Sequence, residues 1–90
     1  MSREVTSTSS LMETALPVLE DNQQQARSLG LSEVVVNSDG LIGRTLHRLG
    51  RFAEAATRYE AGLPRAIPHP ERLGYTLELL RRARRGEPVD

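Results

Sequence analysis

The side chains able to do chemistry in this 90-residue chain are two histidines, twelve carboxylates and twelve arginines, with no cysteine and no lysine. Without cysteine there is no disulfide, no thiolate zinc site and no thiol nucleophile. His47 and His69 are too far apart in sequence for the short ligand spacing of a metal-binding helix. Adjacent acids such as Glu20 and Asp21 diverge around a helix, so they cannot pair for acid–base work. No phosphate-cradling loop, dinucleotide fingerprint, nucleophile elbow or H-E-x-x-H pair is present. The expectation is a non-enzymatic chain with no catalytic residue, no cofactor and no metal.

Two cationic groups remain. Arg44, His47, Arg48 and Arg51 follow the i, i+3, i+4, i+7 spacing, which places them on one helix face. Such a face fits an acidic or phosphorylated segment, with guanidinium forking onto carboxylate; a merely solvated basic face is the competing reading. Arg81, Arg82, Arg84 and Arg85 offer a second anionic-partner site, for nucleic acid or anionic lipid. They equally suit the negative pole of a helix end. Aromatics make up 3% of the chain with no Trp, which argues against a base-stacking surface. Net charge is zero but unevenly spread. Residues 1–43 hold two arginines against six acids and residues 44–90 ten against six, so the halves carry −4 and +4. That polarity steers an acidic partner to the second half or favours head-to-tail self-association. Exclusive use of Arg also fits a GC-rich bacterial genome.

Positioning these residues falls to helices. The length allows one small domain with a modest core. No apolar run approaches the ~18 residues of a membrane span, and the N-terminus lacks a signal-peptide core, so a cytoplasmic protein is expected. Residues 1–9 read as a disordered tail, 10–86 as one helical domain and 87–90 as a second tail. Ser10 and Glu13 form a capping box before a helical face of Leu11, Ala15, Leu19 and Ala26. Pro17 either kinks that helix or begins it. Ser32 is placed to cap the next helix, through Val34-Val35-Val36 to Leu49, with a break conceivable at Asn37–Gly40. Leu41, Ile42, Leu46 and Leu49 share one face of it, and Phe52, Ala55, Ala56, Tyr59 and Leu63 share one face of a third. Gly50 turns the chain between them. Three prolines, at 64, 68 and 70, end the third helix by about Arg65. Pro70 opens a fourth, capping helix with Leu73, Leu77 and Leu80 as its buried stripe and Tyr75 and Leu79 flanking.

The order Ile42-Gly43, Leu46, Gly50, Phe52, Ala55, Tyr59, Leu63 and Pro68 resembles the tetratricopeptide repeat, over about one full repeat at residues 36–68. Gly62 and Asp39 depart from it: alanine is usual at the first slot, and an aromatic often stands at the second. A self-match forty residues apart, Ala15, Leu19, Glu20 and Ala26 against Ala55, Tyr59, Glu60 and Ala66, resembles a partial repeat before it. The resemblance implies an all-α fold of antiparallel helical hairpins, about four helices in all. It also implies a groove lined by the first helix of the hairpin, with Arg44, His47 and Arg48 in or along it. The slots that hold a chaperone tail in some members carry Gly40, Leu41 and Arg44 here, so that partner is not implied.

The function expected is a protein–protein interaction module, an adaptor or assembly subunit. Its partner-binding residues are Arg44, His47, Arg48, Arg51 and Leu41, and its partner carries an acidic segment. Since repeat arrays bury each unit on its neighbour, so short a chain is expected to form a homodimer or dock onto a larger complex through Leu11, Leu16, Val35 and Leu41. A small transcription-related or nucleic-acid-binding protein using the C-terminal arginines is the alternative. A helix-turn-helix reading finds only Arg58 to read bases. A protein that acts purely by occluding its target is a third.

Overall fold

A computed structural model describes residues 8–89, which form four helices: α1 (Thr8–Ser28), α2 (Ser32–Arg48), α3 (Phe52–Ala66) and α4 (Pro70–Arg84). The fold is all-α, in antiparallel hairpins, and among the described residues there is no strand. Each helix packs chiefly against its neighbours in sequence, α1 on α2, α2 on α3 and α3 on α4. No helix among the described residues is long and apolar enough to cross a membrane.

Short glycine-terminated ends make the first two reversals. Gly30 and Gly50 adopt φ of 73° and 79°, a conformation that a Cβ opposes. After α1, Leu31 N–H reaches back to the Ala26 carbonyl; after α2, Arg51 N–H reaches the Leu46 carbonyl. These six-residue closures satisfy helix-end carbonyls that would otherwise lack a partner.

The helices run longer than the local signals imply. Ser10 lies within α1 rather than at its cap, because the helix already begins at Thr8. The tail expected over residues 1–9 lies outside the described residues except for Thr8 and Ser9, which are helical. Pro17 neither begins nor ends α1, and Pro64 likewise sits inside α3. Both prolines are exposed, so the carbonyls left without an N–H partner can turn to water. Ser32 is the first residue of α2 and not its cap; Leu31 holds that position without a side-chain hydrogen bond. The break conceived at Asn37–Gly40 does not occur. Ser38 Oγ donates to the Val34 carbonyl at 2.7 Å, which ties the hydroxyl to its own helix instead of to a turn.

Leu16, Ile42, Leu46, Ala55, Tyr59, Leu79, Leu80 and Ala83 form the core, with Leu19, Ala56, Leu63 and Val89 packed around it. Burying each large aliphatic side chain here stabilises by about 1.5–3 kcal/mol. Leu16 and Val35, expected on an uncovered surface, are buried between helices, whereas Leu11 and Leu41 are exposed. The α4 stripe is also corrected: Leu79 and Leu80 face inward and Leu77 faces solvent. Nor are residues 87–89 a free tail. Arg82 Nη1 donates to the Val89 carbonyl at 2.7 Å, and Val89 packs on the core; Asp90 lies outside the described residues.

The tightest contact joins α2 to α3. A Cβ placed on Gly43 would lie 2.7 Å from Tyr59 Cε1 and 2.9 Å from Tyr59 Cδ1. Gly43→Ala must therefore displace the Tyr59 ring, and a loss of about 1–3 kcal/mol in urea unfolding is expected. Gly62, inside α3, has nothing within 4 Å of such a Cβ. Gly62→Ala is expected to leave stability unchanged or raise it by up to about 1 kcal/mol. Equal effects of the two substitutions would contradict this account of the contact.

Candidate functional site

A groove of about 320 Å³ opens between α2 and α4 above a floor supplied by α3. Helix α2 contributes Val36, Asn37, Gly40 and Arg44; α3 contributes Arg58, Tyr59 and Gly62; α4 contributes Arg72, Tyr75, Thr76 and Leu79. Three of these residues are arginines and none is an acid. The small residues Gly40 and Gly62 keep the cleft open. Tyr75 stands exposed at its edge. Volume and lining suit a short stretch of polypeptide or a small organic anion.

The three arginines are not equivalent. Arg58 is engaged away from the groove: Nη1 donates to Gln23 Oε1 at 2.6 Å and to Asp39 Oδ1 at 3.1 Å, and Nη2 to Glu20 Oε2 at 3.3 Å. Gln23 Nε2 donates to Asp39 Oδ1 at 2.9 Å and to the Val35 carbonyl at 3.0 Å. Gln23 and Asp39 are both buried, and this network ties α1, α2 and α3 together. A buried carboxylate is tolerable only with such partners. Arg44 and Arg72, by contrast, make no ion pair among the described residues. Their charge is available to a ligand.

Tyr59 links the groove to the far end of the bundle. Its ring packs on Gly43 and its hydroxyl lies 3.0 Å from His47 Nδ1. His47 Nε2 lies 2.6 Å from the Glu87 carbonyl, which can only accept. Neutral His47 therefore carries its proton on Nε2, and Tyr59 O–H donates to Nδ1. Burial pushes the Tyr59 hydroxyl up to about 12 although Arg44 and Arg48 pull the other way. Phe52 meets the His47 ring edge-on at 5.6 Å.

The expected basic face is thereby divided. Arg44 lines the groove. His47, only 2% exposed, is a core residue between α2, α3 and the C-terminal segment, and is closed to a partner. Arg48 is exposed beside a second recess formed with Gly50, Phe52, Pro88 and Val89. Arg51 lies beyond the end of α2 and chelates Glu54, with Nε to Oε1 at 2.7 Å and Nη2 to Oε2 at 2.9 Å. That pairing holds the Glu54 carboxyl below its ordinary range. Leu41 is exposed but does not line the groove.

All four C-terminal arginines are already paired. Arg81 and Arg82 grip Glu78 at 2.7 and 2.8 Å, which depresses its carboxyl to about 2. Arg84 pairs with Glu60 on α3, and Arg85 lies 3.7 Å from Glu87. Much of the charge that would bind a polyanion is thus offset within the chain.

Arg72 and Tyr75 of the groove, and the Gln23–Asp39–Arg58 network, were not picked out by the sequence pattern. A signal for the network did exist. Gln23 lies between Leu19 and Ala26 on the inward face of α1, and Asp39 between Val35 and Ile42 on that of α2. Polar residues at core positions of two helices call for each other.

No family model matches the chain, and no curated protein or solved structure matches it either.

Replacing Asp39 with Ala would leave the Gln23 amide and the inner edge of Arg58 without their shared acceptor. A loss of about 1.5–3 kcal/mol is expected, a large share of the stability of so small a domain. Chemical denaturation followed by circular dichroism measures it, and an unchanged midpoint would contradict the network's structural role.

Proposed function

We propose that the chain is a non-enzymatic protein-interaction module that binds an acidic segment of a partner protein in the groove between α2 and α4. The carrying observation is the pair of arginines, Arg44 and Arg72, that face a cleft without acids and have no ion pair of their own among the described residues. An extended acidic segment laid along the cleft would meet Arg44 from one wall and Arg72 from the other. Asn37 and Thr76 can bond its backbone, and Tyr75 can cover an apolar residue beside the acid. Guanidinium suits this task because its planar donors fork onto a carboxylate.

The hairpin α2–α3 supports a tetratricopeptide-like reading of the fold. Tyr59 packs on Gly43 at two of the positions that carry the resemblance, and Gly50 makes the turn between them. In such a module the helices are a rigid frame and the groove chemistry selects the partner, as an adaptor or as a subunit of an assembly.

Fluorescence anisotropy with a labelled Asp/Glu-rich peptide tests the reading. Binding is expected to weaken steeply with salt. Arg44→Ala and Arg72→Ala should each reduce affinity about tenfold, equivalent to about 1.4 kcal/mol. Arg84→Ala, at a guanidinium already held by Glu60, should have little effect. Binding that ignores Arg44 and Arg72 but collapses when the C-terminal arginines are replaced would overturn the groove and favour a polyanion surface there.

A further inference from the structure

The four helices form two hairpins, α1–α2 and α3–α4, each closed by a short connection. In the second half of each hairpin a motif recurs. Ile42-Gly43-Arg44-Thr45-Leu46 in α2, with Leu49 just after its end, reappear in α4 as Leu73-Gly74-Tyr75-Thr76-Leu77 and then Leu80. In α2 the Gly43 and Leu46 side of this motif receives α3: Tyr59 and the Arg58 stem lie against Gly43, and Leu46 is 2% exposed. In α4 the same side receives nothing among the described residues. Gly74 has no atom within 4 Å of its missing Cβ, and Leu77 is 47% exposed. A glycine inside a helix costs about 0.5–1 kcal/mol relative to alanine. Gly43 offsets this through close packing; Gly74 has no such contact among the described residues.

The opposite end of the molecule has the matching surface. Under the forty-residue correspondence, Ala15, Val18 and Asn22 of α1 stand where Ala55, Arg58 and Gly62 stand in α3. Ala55 is buried, and the Arg58 stem lies against Gly43 of α2. Ala15 and Asn22 are exposed, and Leu11 and Val18 are each 58% exposed. Charge adds direction. Helix α1 carries Glu13, Glu20 and Asp21 against Arg27, and α4 carries Arg72, Arg81, Arg82 and Arg84 against Glu71 and Glu78. Their net charges oppose even though Glu20 is paired with Arg58, and Arg81, Arg82 and Arg84 with Glu78 and Glu60.

We infer that the chain associates head to tail with a second copy, α1 of one molecule docking on the Gly74–Leu77 face of α4 of the next. The contact takes the place that α3 has on α2 inside each, with Val18 standing for the Arg58 stem, while Leu19, the counterpart of Tyr59, stays against its own core. The two surfaces differ, so the interface is heterologous, and every added copy leaves a fresh α4 face open. Apolar contact at Val18 and Leu77 holds the joint, while acidic α1 and basic α4 set its polarity and make it salt-sensitive. Arg72 contributes to the charge of α4, but the joint does not depend on a ligand in the groove.

Analytical ultracentrifugation of Val18→Arg, Leu77→Arg and their mixture tests the inference. The wild-type chain is expected to grow in mass from micromolar to millimolar concentration without stopping at two copies, and less so in high salt. Each variant alone should be monomeric with helicity unchanged, because both positions are exposed. Mixed in equal amounts, the variants should form a dimer and stop, since one intact α1 then meets one intact α4. Gly74→Leu, which favours helix while blocking close approach, should behave like Leu77→Arg. A wild-type chain monomeric throughout would overturn the inference. So would self-association abolished by Val18→Arg but untouched by Leu77→Arg, which is the mark of a symmetric α1 contact.

Discussion

The ring of Tyr59 lying on the bare backbone of Gly43 is the contact on which the rest of the structure depends. It sets how closely α2 and α3 approach, and so the depth of the groove they share with α4. The same residue carries the signal of that packing outward. Its hydroxyl meets His47, His47 holds the Glu87 carbonyl, and the segment after α4 is thereby drawn back over the end of α2 and the start of α3. One side chain joins the central hairpin, the wall of the groove and the C-terminal closure. A small domain with little core to spare gains from such sharing, because each ordered group serves several contacts.

The second organising feature is polar. Gln23, Asp39 and Arg58 occupy positions that apolar residues would otherwise fill, and their bonds register three helices against one another. Compared with a greasy interface, such a network adds little net stability, but it penalises any packing that leaves a member unpaired. It also has a consequence for the groove. By drawing Arg58 toward Asp39 and Glu20, it leaves Arg44 and Arg72 as the cations facing the cleft without a counter-ion among the described residues. The proposed selectivity for an acidic segment is therefore linked to the device that specifies the fold.

Much of the architecture was legible in the residues. Periodic leucines and alanines marked the helices, Gly50 marked the central reversal, and Ile42-Gly43 with Ala55 and Tyr59 marked the hairpin around it. Local cap signals were less dependable. Ser10 and Ser32 have the chemistry of caps, but helix continuing to Thr8 and a turn closed by Gly30 placed them inside instead. The basic face failed for a geometric reason. His47 is four residues from Gly43 on the side of α2 that α3 covers, so helical spacing alone grouped it with arginines that point elsewhere. Leu77 and Leu79 exchanged roles because the position of α4 against α3, not its own periodicity, decides which leucine is inside. The bond of Gln23 with Asp39, and the placing of Arg72 and Arg44 on opposite walls of the groove, bring together residues distant in sequence. No local pattern carries them; only the two polar residues on core faces pointed that way.

The measurement that bears most directly on the groove is a nitrogen–proton NMR titration, backbone and arginine side chains together, with an acidic peptide as ligand. Binding in the cleft predicts shifts concentrated at the Arg44 and Arg72 side chains and at the amides of Gly40, Gly62 and Thr76, with Arg81 to Arg85 quiet. Shifts confined to Arg81, Arg82, Arg84 and Arg85, or none anywhere at saturating peptide, would contradict the account.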